Sequence, residues 1–108
     1  MKKSSAFEVA CGKCHVTRDV LQWHFQSVDL LDQCPQSVKI ARELQASSKR
    51  VRNVFQNTMQ DIVSGRAGAA SLQYDCVVLR YCIGYLGEEQ AVELLVKLAR
   101  MLSTTTPS

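Results

Sequence analysis

The sequence predicts an all-α protein, a four-helix arrangement with two long antiparallel helices followed by a shorter helical hairpin. Three observations predict it. Chain breakers are sparse, with two prolines and five glycines in 108 residues, which favours long helices over many short strands. Apolar residues recur at steps of three and four along most of the chain. Hydrophobic residues make up 46% and charged residues 21%, so a core can form, and the length suits one domain, 1–108. Only the polar ends, about 1–4 and 103–108, carry no apolar period and read as loose tails.

The first helix is expected over 5–33. Ser5-Ala6-Phe7-Glu8 has the spacing of a capping box, with a hydroxyl at the N-cap and a carboxylate three residues on. Phe7, Cys11, Cys14, Leu21, Phe25 and Val28 then form a helical stripe that only Arg18 interrupts. Val16, Val20, Trp23, Ser27 and Leu30 form a second. Gly12 costs roughly 1 kcal/mol relative to alanine, so a restart at Thr17 is expected.

Pro35 closes that segment and suits the first turn of the next, over 35–64. Ala41, Leu44, Ser48, Val51, Phe55, Thr58 and Ile62 alternate steps of three and four, a seam for a neighbouring helix. Ser64-Gly65-Arg66-Ala67-Gly68 ends the pattern. A helix of that length spans about 45 Å, against a diameter of about 35 Å for a compact domain of this size. Its seam is therefore expected to need cover from a second chain.

The third helix is expected over 69–86. Val77-Val78-Leu79 has high strand propensity, but the row Leu72, Cys76, Leu79, Ile83, Leu86 favours a helix. A second row, Tyr74, Val78, Tyr81 and Tyr85, lies roughly 200° away and holds all three tyrosines. Tyrosine buries a large ring and keeps a wet hydroxyl, so this row is the expected partner-binding face. The fourth helix, over 88–102, opens on Glu88-Glu89 and closes on Arg100, in accord with the helix dipole. Glu93 and Lys97 pair four apart, and Ala91, Leu94, Leu95, Leu98, Met101 and Leu102 make its expected buried face.

Charge and length exclude some classes. A net charge of +3 is mild for a nucleic-acid module. No segment offers the roughly 18 apolar residues of a membrane span. The opening Met1-Lys2-Lys3 is followed by no apolar centre, so export is not expected, and the five cysteines are read as free thiols in the cytoplasm.

Cys11-Gly12-Lys13-Cys14-His15 is the one motif that suggests chemistry. It resembles the haem-attachment motif of c-type cytochromes over five residues, which implies two thioethers and an axial histidine. Attachment by that route requires export, so haem is set aside. Cys11, Cys14, His24 and Cys34 could instead supply a tetrahedral zinc set, but the C-x-x-C pair is not repeated. A redox dithiol is set aside because no strand is expected before the pair. No Gly-rich phosphate loop is read after a strand, and Lys49-Arg50-Val51-Arg52 splays around its expected helix.

The expectation is therefore a non-enzymatic cytoplasmic module without a cofactor. It would be a homodimer that binds and occludes a partner protein, as an anti-activator or secretion chaperone does. The alternative is a zinc-stabilised module that contacts nucleic acid.

Overall fold

A computed structural model describes residues 4–66, 68, 72–79 and 88–102. At its centre is a four-stranded, all-parallel sheet in the order β3-β2-β1-β4. The strands are β1 (Ser5–Val9), β2 (Ser27–Asp32), β3 (Val51–Gln56) and β4 (Cys76–Leu79). Helices fill the connections. A wide π-type turn, Thr17–Leu21, continues into Gln22–His24, and together these form α1. The others are α2 (Pro35–Ser47), α3 (Met59–Ser64) and α4 (Glu88–Met101).

The all-α expectation is overturned: the chain is α/β. The first expected helix holds β1, α1 and β2. The second holds α2, β3 and α3, so no 45 Å helix protrudes. The third contains β4. The physical reason is burial on both faces. A parallel sheet covered on both sides has strands that read as continuous apolar runs, without the alternation that marks an exposed sheet. Four of the five β1 residues and five of the six β2 residues are buried.

Successive side chains of each strand go to opposite faces. On one face, Phe7, Val9 and Leu31 pack with Met59 and Ile62 of α3, Leu94, Leu98 and Met101 of α4, and Tyr74. On the other, Ala6, Val28, Leu30 and Val51 pack with Leu21 of α1, Ala41 of α2, Cys11 and Cys14. The helical stripe Phe7–Val28 was a coincidence of spacing, because Phe7 and Val28 belong to opposite cores.

Three local signals fix the elements. Pro35 sits in the first turn of α2, as expected. Thr58 caps α3, accepting from the Asp61 amide at 3.0 Å while the Asp61 carboxylate accepts from the Thr58 amide at 2.9 Å. Gly65 (φ 80°) ends α3 in the left-handed conformation that glycine adopts without strain.

One buried polar cluster ties the sheet together. Asp29, fully buried in β2, accepts from Arg52 Nε at 3.1 Å, Arg52 Nη2 at 2.9 Å, the Asn53 amide at 3.0 Å and the Tyr74 hydroxyl at 2.6 Å. Tyr74 also stacks on Phe7, with ring centroids 4.8 Å apart and planes 15° apart. Burial, and then the hydrogen bond to Asp29, push the Tyr74 phenol well above its usual range.

Candidate active site

The strand order places a crevice. β2 and β3 lie to one side of β1 and β4 lies to the other, so the connections reverse direction beside β1. In open parallel sheets ligands bind at such a reversal, outside the carboxyl ends of the strands. The segment leaving β1 is Ala10-Cys11-Gly12-Lys13-Cys14. Its backbone has φ 58° at Ala10, 55° at Gly12 and 63° at Cys14. Alternate residues thus occupy the left-handed region that glycine favours, and two of the three are not glycine. A Cβ added at Gly12 would meet nothing within 4 Å, so the loop faces open space there.

Two carboxylates tie down the segment that leaves β1. Glu8, 2% exposed, accepts from the Thr17 hydroxyl at 2.6 Å and anchors the start of α1 beneath it. Asp32, at the end of β2, accepts from the Gly12 amide at 2.9 Å through Oδ2 and from the Cys34 amide at 2.9 Å through Oδ1. Its side chain borders a cleft of about 210 Å³, together with Ala10, Leu31, Cys34, Asn57 and Met59. The two backbone bonds leave part of the carboxylate's capacity of about four acceptor sites for a ligand. The wall is apolar at Leu31 and Met59 and amide at Asn57, a mixture that suits a nucleoside: ring faces against carbon, hydroxyls against the carboxylate.

Three thiols border or underlie the loop. Cys34 is exposed at the N-cap of α2. The amides of Ser37 and Gln36 donate to its sulfur and lower its pKa. Cys11 and Cys14 are buried in the same core cluster. The Cys14 thiol donates to the Gly12 carbonyl at 3.8 Å, while interaction between the two sulfurs, and then burial, raises the Cys11 thiol and the same interaction lowers Cys14.

Against known families, residues 1–106 match the model described as AdoMet dependent proline di-methyltransferase. The chain belongs to this family. No curated protein sequence matches it. Among solved structures, it is similar to a SAM-dependent methyltransferase from Leishmania major, with a TM-score of 0.80 and 20% identity. That alignment covers 95% of this chain and 39% of the other. The plantazolicin methyltransferase BpumL, solved with SAH, aligns at a TM-score of 0.72 and 17% identity, over 95% of this chain and 36% of that one. CalS10, a SAM-bound amino pentose methyltransferase from Micromonospora echinaspora, aligns at 0.72 and 17%, over 94% and 39%. At these identities the likeness shows the fold. The chain spans well under half the length of each of the three.

Family membership corrects three expectations. An occluding regulator, a non-enzyme and a cofactor-free chain all give way to a family of AdoMet-dependent enzymes.

The expected site residues are scattered. Tyr74 is buried against Phe7 and Asp29, and Val78 is half-buried in β4, so the two do not share a helical face. Tyr81 and Tyr85 lie outside the described residues. Of the zinc alternative, Cys11 and Cys14 lie together, but Cys34 caps α2 and His24 is exposed at the end of α1. Among the described residues, no three His, Cys, Asp or Glu side chains gather to hold a metal. Also among them, no helix is long and apolar enough to cross a membrane.

The residues the sequence reading missed are Ala10, Gly12, Asp32 and Asn57. One signal was available. The strand that ends Phe7-Glu8-Val9 runs into the small residues Ala10, Cys11 and Gly12, and Asp32 follows Gly12 by twenty residues, the interval at which a ribose-binding acid follows such a loop in dinucleotide folds. Alanine and cysteine at two of the three left-handed positions hid it.

Proposed function

We propose that this chain binds AdoMet in the cleft between the β1 loop and Asp32 and serves methyl transfer to the nitrogen of an N-terminal proline. The observation that carries the reading is the loop itself. Its left-handed backbone at positions 10, 12 and 14 leaves open space above Gly12, and its amide is fixed to the carboxylate of Asp32. Asp32 would accept hydrogen bonds from ribose hydroxyls, while Leu31 and Met59 would contact the adenine ring and Asn57 its polar edge. When bound, AdoMet supplies a methyl group on a positively charged sulfur, ready for attack by a neutral amine.

The choice of amine follows from chemistry. Within a chain, proline nitrogen is a tertiary amide with no hydrogen and no free lone pair. In a polypeptide it is a secondary amine, able to take two methyl groups in turn, only at the N-terminus. The partner expected from the sequence thus returns in another form, as a protein or peptide substrate. A homodimer and a cytoplasmic location belong to the same proposal.

The test is incubation of the protein with AdoMet and two peptides that differ only in having proline or acetylated proline at the N-terminus. Mass spectrometry should show methyl groups added to the first alone. Methylation of both peptides, or of neither, would contradict the assignment.

A further inference from the structure

We propose that Cys11 and Cys14 are a reversible dithiol that closes into a disulfide across the β1 loop, and that the closed loop no longer binds AdoMet. The second clause rests on the proposed function; the first does not.

The geometry is that of a C-x-x-C pair on a tight turn. The Cys14 amide donates to the Cys11 carbonyl at 2.8 Å, which closes a four-residue turn. Such a turn holds its end Cα atoms within about 7 Å. A disulfide requires about 4.4–6.8 Å, so the backbone is already in range. The two thiols project into the same core cluster beneath the sheet. A strand precedes the pair and a helical segment follows it, the setting in which a C-x-x-C reads as a redox motif. The absence of that strand was the reason to set a dithiol aside; β1 removes it.

The oxidant class is a low-molecular-weight disulfide. Cys14 is the attacking sulfur, because interaction with Cys11 favours its thiolate. Its sulfur attacks the external disulfide, whose S–S bond breaks; one thiolate leaves and takes up the Cys14 proton. The Cys11 sulfur then attacks the Cys14 sulfur and displaces the second thiolate, which takes up the Cys11 proton. Two protein thiols are oxidised to one disulfide, and one external disulfide is reduced to two thiols. Burial of both sulfurs, 6% and 1% exposed, makes the reaction wait on opening of the loop. The ring spans only four residues and constrains little of the unfolded chain, so folding contributes little to holding it shut.

The effect on the cofactor follows from position. Gly12 lies between the two cysteines and donates to Asp32. Pulling the sulfurs into a covalent bond changes the turn that aims this amide, and with it the loop surface beside the cleft.

Trypsin offers a direct test, because Lys13 lies between the cysteines and Arg18 follows them. The folded protein is treated with 2,2′-dithiodipyridine, free thiols are alkylated, and the tryptic peptides are mapped. The proposal expects residues 4–13 and 14–18 to be recovered as one linked pair, separated by dithiothreitol and absent in Cys11→Ser. Cys11 and Cys14 recovered alkylated singly, or joined to other cysteines, would overturn it. Calorimetric titration of oxidised protein should show loss of AdoMet binding, restored by dithiothreitol. Equal binding by linked and reduced protein would overturn the switch. Reduced protein that binds no AdoMet would instead refute the proposed function and the switch together, and the linked pair alone would then uphold the disulfide.

Discussion

Removing the Tyr74 hydroxyl and the Asp29 carboxylate, singly and together, tests the cluster that joins β2, β3 and the approach to β4. Asp29 accepts four hydrogen bonds. In Tyr74→Phe it keeps three, and the phenylalanine ring keeps the stack on Phe7. The lost bond runs to a charged group, so the cost is about 1.5–3 kcal/mol. Asp29→Ala is worse, because it strands the buried Tyr74 hydroxyl, at about 1–3 kcal/mol, as well as the Asn53 amide. Arg52 adds less, since its side chain is 46% exposed and can turn to water. The sum for Asp29→Ala is about 3–4 kcal/mol. In the double variant no hydroxyl is stranded, so the second substitution should cost about 1–2 kcal/mol less than it does alone. Urea unfolding followed by circular dichroism gives all four free energies. Additivity to within about 0.5 kcal/mol would refute the direct bond, and a costless Tyr74→Phe would refute the burial of Tyr74 in this core.

Three further predictions follow from the same structure. Ala10→Gly relieves a left-handed alanine, worth about 1–2 kcal/mol, but admits about 0.5–1 kcal/mol of extra chain entropy; thermal melts should show a net gain of roughly 0.5–1 kcal/mol, whereas Ala6→Gly in β1 should destabilise. Thr58→Ala removes the α3 cap and should cost about 1 kcal/mol in urea unfolding. The Asp61 carboxyl is held below its usual range by the Thr58 amide, so its contribution is full above about pH 4 and is lost as pH falls through the lower folded value; a loss on raising the pH would contradict the cap. Cys34, lowered by the amides of Ser37 and Gln36, should react with iodoacetamide at lower pH than Cys76, which burial raises. Peptide mass spectrometry over a pH series would show this, and the reverse order would contradict the placement of Cys34.

Parts of the fold were legible in the sequence because they depend on local signals. Pro35 opened α2, Ser64-Gly65 closed α3, and the charge order of 88–102 marked α4. The strands were not legible, because their apolar runs merge with the helices beside them. Ala41 and Leu44 lie on α2, Val51 and Phe55 on β3, and Ile62 on α3, yet together they imitate one helical seam. At 77–79 the strand propensity was visible, but neighbouring apolar residues at helical spacing outweighed it. The site failed for a different reason. The three left-handed positions of the loop carry alanine, glycine and cysteine, so composition gave no Gly-rich signature, and the same cysteines drew attention to metals. Only the backbone angles mark the loop as unusual.

Calorimetric titration of the reduced full chain with AdoMet tests the central claim most directly, with Asp32→Ala as its control. Saturable one-site binding, competed by SAH and lost in Asp32→Ala at unchanged circular dichroism, is the predicted result. A folded protein that takes up no AdoMet, or an Asp32→Ala variant that binds as well as the parent, would contradict it.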